Sequence, residues 1–236
     1  IIKPQNELTG IALHEIKNPL ASISLANDIL RLDPTKTQKM TDMIKYCVAT
    51  IQNKLTDLLK LSEDGEKEQR LSIEEADLKE MLDRLVNNFE LLANKKNQII
   101  ELTIEDTLPK INIDKTKISD VLHNLLSNAI KYSYSNTTIK IIAKKIDDFV
   151  EIEFQDQGQG LNDEDADKLF KKFAKLSSKP TGKESSNGLG LSICKSFVEL
   201  HKGQIFAKSP GKELGTSFFI SLPIIYKQEE TEISHH

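Results

Sequence analysis

The sequence has only two cysteines, Cys47 and Cys194, among its 236 residues. Both lie in apolar helical patterns, and neither belongs to a spaced set of metal ligands. We therefore expect two small buried thiols in a reducing compartment, and neither a disulfide framework nor a zinc site.

Long apolar runs are also absent. No stretch approaches the roughly 18 apolar residues that a membrane span needs, and the first ten residues lack the charged and then apolar order of a signal peptide. The chain opens inside an apolar pattern, so we expect a cytoplasmic fragment of a longer protein. Any attachment to a membrane would be through regions that precede the fragment.

The sequence has no large excess of charge of one sign. Its net charge is −4, which gives no basic field, so we expect no nucleic-acid partner. A charged fraction of 29% beside 38% hydrophobic residues is typical of a soluble globular protein. The final His235 and His236 resemble the remnant of a purification tag and are excluded from the chemistry.

Residues 1–62 have the pattern of a helical hairpin. Apolar residues recur at spacings of three and four from Leu8 to Leu32, and again up to about Ser62. Pro34 separates the two predicted helices. Two helices cannot enclose their own apolar stripes, so we expect a second copy to complete a dimeric four-helix bundle.

The pattern changes after residues 63–70, which contain no apolar residue and are interpreted as a linker. Residues 71–225 alternate between strands and helices, with strong helices predicted at 79–94, 115–132 and 188–201 and a shorter one at 163–173. Residues 226–236 form a tail. The predicted fold is therefore α+β: a helical hairpin followed by an α/β sandwich with helices on one face of a sheet.

His14 lies opposite the apolar stripe of the first predicted helix, and therefore faces solvent. Asn18 lies one turn further on the same face. Pro19 offers no N–H to the carbonyl of Glu15, so the helix is loosened beside the histidine. A lone exposed histidine is usually only a surface residue, and both interpretations stay open on these residues alone.

Three later segments carry nucleotide signals, each weak by itself. In "DQGQGL" Asp156 follows a predicted strand and can accept a hydrogen bond from an exocyclic amine, while Gly158 and Gly160 allow a close backbone approach. An ordinary turn without a ligand is the alternative interpretation of this segment. In "NGLGLSI" glycines begin a predicted helix, whose free N–H groups form an anion site. An ordinary helix start is the alternative.

The third segment is "HNLLSNAIKYS". Asn124 and Asn128 lie one turn apart on one helical face, where two amides can hold a hydrated Mg²⁺, and Lys131 could then meet phosphates. A polar helix face is the simpler interpretation, and His123 is interpreted as structural. Between this segment and the last glycines, Phe170 and Phe173 precede a long polar stretch, which is interpreted as a lid.

In this order the segments resemble the motifs of the sensor histidine kinases of two-component signalling. "HEIKNPL" is similar to the phosphoacceptor motif and "NLLSNAIKYS" to the asparagine box. "DQGQG" and "NGLGLSI" are similar to the two glycine boxes, with Phe170 and Phe173 as the phenylalanine box. Gln157 and Asn187 depart from the commoner residues, and "ESSN" lacks the usual extra glycines.

The resemblance implies an ATP-binding fold of the histidine kinase and Hsp90 type, with ATP and Mg²⁺. It implies that Asp156 reads the adenine amino group, that Asn128 coordinates Mg²⁺, and that Tyr132 packs near the base. Asn124 and Lys131 would contact phosphates or metal ligands. The remaining residues implied to shape the nucleotide pocket and lid are Gly158, Gly160, Phe170, Phe173, Gly188, Leu189, Gly190 and Leu191.

The resemblance also implies a reaction. His14 would be phosphorylated, Glu15 would orient the ring and take its proton, and Asn18 would orient water for a phosphatase reaction. The phosphoryl group would pass to an aspartate on a response regulator receiver domain. Two alternatives remain: an ATPase of the same fold, and a nucleotide-binding scaffold without phosphotransfer.

Overall fold

The computed structural model describes residues 19–38, 40–41, 43–44, 47–48, 51, 71–172, 174, 181 and 189–226. The chain divides into two compact units, Ile1–Gln69 and Arg70–His236. The predicted positions His14, Glu15, Asn18, Phe173 and Gly188 lie outside the described residues.

In the first unit, residues 19–32 are helical and a 3₁₀ turn follows at Pro34–Lys36. The carboxylate of Asp33 accepts a hydrogen bond from the Thr35 N–H at 3.1 Å, and therefore caps this turn. Helix resumes at Thr37, so the break predicted at Pro34 is confirmed. Ala26, Met40 and Cys47, which belong to the predicted apolar stripes, are buried.

The second unit contains four helices and seven strands within the described residues. The helices are α1 (Leu78–Asn94), α2 (Lys115–Tyr132), α3 (Asp163–Ala166) and α4 (Gly190–Leu200). The strands are β1 (Glu74–Ala76), β2 (Ile99–Ile104), β3 (Ile111–Ile113), β4 (Thr138–Ile146), β5 (Phe149–Gln155), β6 (Gln204–Lys208) and β7 (Ser217–Pro223).

Five of these strands form one sheet, in the order β2-β4-β5-β7-β6. Strands β2 and β4 are parallel, and the other neighbours are antiparallel. Strands β1 and β3 pair separately as an antiparallel ribbon. The hairpin between β4 and β5 turns at Asp147, whose φ of 51° suits a tight turn.

The core lies between one face of the sheet and helices α1, α2 and α4. Alternate residues of β4, β5 and β7 are buried, which is the period-2 pattern of a sheet covered on one face only. Helix α2 buries seven residues along one stripe, from Ile118 to Ile130. The predicted α/β sandwich is confirmed, and Cys194 is buried in α4 as expected. Among the described residues, no helix has both the length and the apolar character to cross a bilayer.

The short helix α3 differs from the prediction, which extended it from residue 163 to residue 173. Asn162 caps its start, with Oδ1 accepting from the Asp165 N–H at 2.7 Å. After Ala166 the chain continues through i→i+3 hydrogen bonds, such as Lys168 to Asp165 at 3.1 Å, rather than through the helical i→i+4 bonds. These turns bury Leu169 in the core.

His201 links the end of α4 to the start of α2. Its ring is fully buried; Nδ1 lies 2.7 Å from the Phe197 carbonyl, and Nε2 accepts from the Asp114 N–H at 2.9 Å. The ring is therefore neutral, with its proton on Nδ1. Burial lowers the pKa of His201, although the Phe197 carbonyl and the Asp114 charge favour the protonated ring.

This burial predicts a pH-dependent stability. The folded-state pKa of His201 lies below its usual 6.5. The stabilisation by the neutral, buried ring is therefore complete above pH 6.5 and is lost as the pH falls through the folded-state pKa. His201→Ala should reduce the free energy of unfolding by roughly 2–4 kcal/mol at pH 7.5 and weaken the dependence below pH 6.5. Urea unfolding measures both, with exposed His123→Ala as the control; equal losses in the two variants would contradict the assignment.

Candidate functional site

Asp156 lies directly after β5, at the C-terminal end of the central strand of the sheet, and is 6% exposed. Its Oδ1 accepts from the Gly158 N–H at 2.9 Å and from the Thr216 N–H at 3.1 Å. Both donors use the same oxygen. The geometry therefore leaves Oδ2 available for an amine on a ligand.

The carboxyl of Asp156 is held in an unfavourable environment for its charge. Burial raises the pKa of Asp156 to about 6, although the N–H groups of Gly158 and Thr216 favour the ionised form. A buried acid of this kind at the end of a strand is typical of a functional site rather than of a packing position.

Glycines let the loop after Asp156 pack tightly against the loop before β7. Gly160 has a φ of 65°, and a Cβ there would lie 1.9 Å from the Gly211 carbonyl oxygen. Gly215 has a φ of 77°, and its Cβ would lie 2.1 Å from the Asp156 carbonyl oxygen. No side chain fits at either position without strain, so glycine is what allows the two loops to pack this closely.

The asparagine pair lies on the face of α2 that meets α4. Asn128 donates from Nδ2 to Oδ1 of Asn124 at 2.9 Å, which directs Oδ1 of Asn128 away from this bond. At the start of α4, a Cβ on Gly190 would lie 2.2 Å from Nδ2 of Asn124. The second glycine box therefore packs directly on the asparagine box, and Leu189, buried, and Leu191 flank this contact.

Gly190→Ala tests whether this contact between Gly190 and Asn124 supports nucleotide binding. The methyl group should displace the Asn124 side chain and break its bond to Asn128, and lower the affinity for Mg-nucleotide about tenfold or more. Fold stability should change by less than about 1 kcal/mol, since alanine favours the helix. In an Asn124→Ala background the same change should have no further effect on affinity, as measured by calorimetry. A further loss there would mean that the clash is not the cause.

The end of α2 contacts the first glycine loop through the backbone. Ser133 and Gly158 form an isolated β-bridge, and a Cβ on Gly158 would lie 2.3 Å from the Tyr132 carbonyl oxygen. The ammonium of Lys131 lies 5.8 Å from the centre of the Tyr132 ring. The structure thus brings the asparagine box, the first glycine box with Asp156, and Gly190 of the second glycine box to one side of the second unit.

Phe170 lies elsewhere within this unit. It lines a groove of about 550 Å³ beside the outer face of α4, together with Lys195, Leu200 and Tyr226. Ser192 of the second glycine box also lines that groove, whereas no residue of the asparagine box or the first glycine box does. A contact between Phe170 and nucleotide stays a prediction.

Sequence reasoning missed several residues that shape the site. Gly215 and Thr216 complete the Asp156 loop, and their only signal was a glycine just before the last strand. Lys96 and Thr181 reach the carbonyl end of α2 from distant parts of the chain. No periodicity or motif could have indicated them, because their partners at the end of the helix are backbone carbonyl oxygens.

The residues fit a nucleotide with Mg²⁺. The buried acid can accept from an adenine amine, and the glycine contacts leave backbone close to the space beside it. Amide oxygens are hard ligands of the kind that Mg²⁺ prefers, and this ion usually takes few protein ligands beside phosphates and water. In the described part of the chain, no group of three His, Cys, Asp or Glu side chains is placed to hold a metal ion.

Comparison with known families agrees with this geometry. Residues 113–225 match the family described as "Histidine kinase-, DNA gyrase B-, and HSP90-like ATPase". Residues 5–67 match the "His Kinase A (phospho-acceptor) domain". The second unit thus has an ATPase-type nucleotide-binding fold. With both domains in this order, the chain belongs to the sensor histidine kinases of two-component systems.

Individual relatives support the same family. The alginate biosynthesis sensor protein KinB of Pseudomonas aeruginosa is 29% identical over 226 residues, which are 93% of this chain and 37% of KinB. The structure of the histidine kinase ThkA in complex with the response regulator TrrA has a TM-score of 0.73 at 26% identity, covering 92% of this chain and 61% of that one.

A third comparison shows the fold alone. The Acinetobacter baumannii histidine kinase AdeS has a TM-score of 0.70 at 23% identity, and the alignment covers 89% of this chain and 98% of that one.

The chain spans less than half the length of the curated relatives named here. It covers 37% of KinB and 44% of the Bacteroides fragilis sensor protein RprX, a relative of 28% identity.

Proposed function

We propose that this protein is an ATP-dependent histidine kinase that phosphorylates itself on His14 and transfers the phosphoryl group to an aspartate of a response regulator. The observation that carries the proposal is the assembly of Asp156, Asn128 and Gly190 at one edge of the second unit. The phosphoacceptor domain matched over residues 5–67 supplies the acceptor.

The nucleotide would be held by backbone and side chains from three segments. Asp156, when ionised, accepts from the adenine amine through Oδ2, while Tyr132 packs near the base. Lys131 and the N–H groups at the start of α4 meet the phosphates. Asn128, oriented by Asn124, would ligate Mg²⁺, which when bound neutralises charge on the phosphates.

At the acceptor, the neutral imidazole of His14 is the nucleophile. A bond forms between its ring nitrogen and the γ-phosphorus of ATP, and the bond from that phosphorus to the bridging oxygen breaks. ADP leaves with that electron pair. Glu15 takes the ring proton and stabilises the charged ring. Asn18 orients water for the opposing phosphatase reaction, in which water attacks the phosphorus of the regulator's aspartyl phosphate, the bond to the carboxylate oxygen breaks and inorganic phosphate is released.

We further propose a homodimer built through the helical hairpin. The predicted stripe residue Leu20 is 51% exposed in the single chain, and burying it against a second copy would be favourable. The response regulator is proposed as the second partner. The complex of ThkA with the response regulator TrrA supports that choice.

Labelling with ATP distinguishes this proposal from its alternatives. With γ-³²P-ATP and Mg²⁺ the protein should acquire an acid-labile, base-stable label, whereas α-³²P-ATP should leave none. The label should move to a receiver domain when one is added. Release of free phosphate without labelled protein would favour an ATPase of the same fold, and nucleotide binding without either product would favour a scaffold.

A further inference from the structure

The carbonyl end of α2 is held by side chains from outside the helix. The ammonium of Lys96 lies 3.1 Å from the carbonyl oxygens of both Ile130 and Lys131. These are among the last carbonyls of α2, which have no partner within the helix. A cation at this end is also favoured by the helix dipole. Lys96 therefore contacts the last turn of α2, at Lys131.

Thr181 reaches the same place from the connection between the phenylalanine box and the second glycine box. Its N–H donates to the Lys131 carbonyl at 3.1 Å, and its Oγ1 accepts from Lys96 at 3.0 Å. The hydroxyl lies 2.7 Å from the Ser133 carbonyl oxygen and 3.0 Å from that of Lys131, and donates to one of them. Lys96 and Thr181 therefore form a two-residue contact, the carbonyl clamp, on the end of α2.

A second group already supports the fold at this point. Gln98 is 2% exposed, and its Nε2 lies 3.0–3.2 Å from the carbonyl oxygens of Ile130, Ser133 and Tyr134. Because Gln98 joins β2 to the end of α2, the helix remains attached without the clamp. The clamp adds a link from α2 to the connection that precedes Gly190.

We propose that Lys96 and Thr181 are positioning residues for the nucleotide site. The inference rests on the proposed function, since it concerns the same site. The clamp fixes the backbone at Lys131 and Ser133, at the end of the helix that carries Asn128. A site arranged before the ligand arrives binds more tightly than one that must be ordered on binding.

The test uses the whole 236-residue chain and Mg-ADP as the probe. Thr181→Val removes the hydroxyl at nearly constant shape, and Lys96→Met removes the ammonium. Each should raise the Kd for Mg-ADP about five- to tenfold, as expected for a lost hydrogen bond to a charged or buried group. The double variant should be weaker by less than the product of the two single effects, because the two side chains bond each other and share the Lys131 carbonyl. Autophosphorylation at saturating ATP should stay within about twofold in rate.

Two matched controls separate positioning from general charge or packing. Lys95→Met makes the same charge change at the neighbouring exposed position, and Thr181→Ser keeps the hydroxyl. Both should stay within about twofold of the parent in Kd. A Lys95→Met effect equal to that of Lys96→Met would overturn the proposal, as would fully multiplicative effects in the double variant or an unchanged Kd in both single variants.

A readout without nucleotide keeps the clamp distinct from the proposed function. Trypsin cleavage after Lys175 or Lys183 in the ligand-free chain should become several-fold faster in Thr181→Val and Lys96→Met, but not in the two controls. If the parent chain binds no Mg-ADP, the proposed function fails, while faster cleavage in these variants would still support the attachment. Unchanged cleavage in both would contradict it.

Discussion

His14→Ala should abolish the acid-labile label that γ-³²P-ATP places on the parent protein, and should leave the affinity for Mg-ADP within about twofold. The imidazole nitrogen is the atom that would form the bond to phosphorus, and a methyl group offers no substitute. The nucleotide residues belong to the other compact unit of the chain, Arg70–His236. Chemistry should therefore be lost while binding is kept.

The matched control is His123→Ala. This histidine is exposed on α2, and its Nδ1 lies 2.8 Å from the Ser119 carbonyl of the same helix. The control protein should be labelled like the parent, as measured by filter binding before and after acid treatment. Persistent acid-labile label in His14→Ala would show that another group accepts the phosphoryl, and the assignment of residues 5–67 to that role would fail.

Asp156→Asn should make the protein more stable and unable to bind adenine nucleotide. At pH 7 the parent carries an ionised carboxylate whose pKa is raised to about 6 from 3.8 by burial. A carboxyl pKa raised this far corresponds to an unfavourable contribution to folding on the order of 3 kcal/mol. Asparagine removes the charge, and its Oδ1 can still accept from the N–H groups of Gly158 and Thr216.

The second effect is on recognition. In place of Oδ2 the asparagine presents an amide N–H₂ group, which faces the amine of adenine donor to donor. The affinity for Mg-ADP should fall by at least about a hundredfold, because a group built to accept becomes one that cannot. Thermal unfolding and calorimetry measure the two effects. An unstable variant, or one that binds normally, would contradict this account of the site.

The pH dependence of the parent follows with a definite sign. The pKa of Asp156 is raised in the folded state to about 6. The protonated carboxyl therefore stabilises the fold at pH values below its unfolded-state pKa, and this stabilisation is lost as the pH rises through about 6. Nucleotide affinity should change in the opposite direction, since only the ionised carboxylate accepts from an amine. Binding should weaken below pH 6 in the parent.

Much of this arrangement could be predicted because it depends on local rules. The bounds of α2 were predicted correctly, because Asp114 caps its start and the apolar stripe from Ile118 to Ile130 has helical period. Strands β4, β5 and β7 alternate buried and exposed residues, so their position on one sheet face was also predictable. The position of Asp156, Gly158 and Gly160 after a strand is what predicts them as site residues, and their contact with nucleotide stays a prediction.

The remainder depends on contacts between residues that lie far apart in the sequence, and such contacts leave no pattern in it. Thr181 and Lys96 meet across 85 positions, and neither belongs to a periodic stripe. The early end of α3 depends on Leu169 turning into the core. His201 was not singled out, because a buried histidine that accepts from a backbone N–H has the same helical spacing as an apolar residue.

The closest approaches around Asp156 also predict how homologues of this chain can differ. Gly158, Gly160 and Gly215 each face a main-chain carbonyl oxygen, at 2.3, 1.9 and 2.1 Å from the Cβ that any other residue would carry. A main-chain oxygen is present whatever the side chain, so these contacts constrain the glycines and place no demand on the side chains of the other residues in the two loops. Substitution should be rare at the three glycines and common at Gln157, Gln159 and Lys212, and the pocket shape should survive in relatives that share little else of these loops.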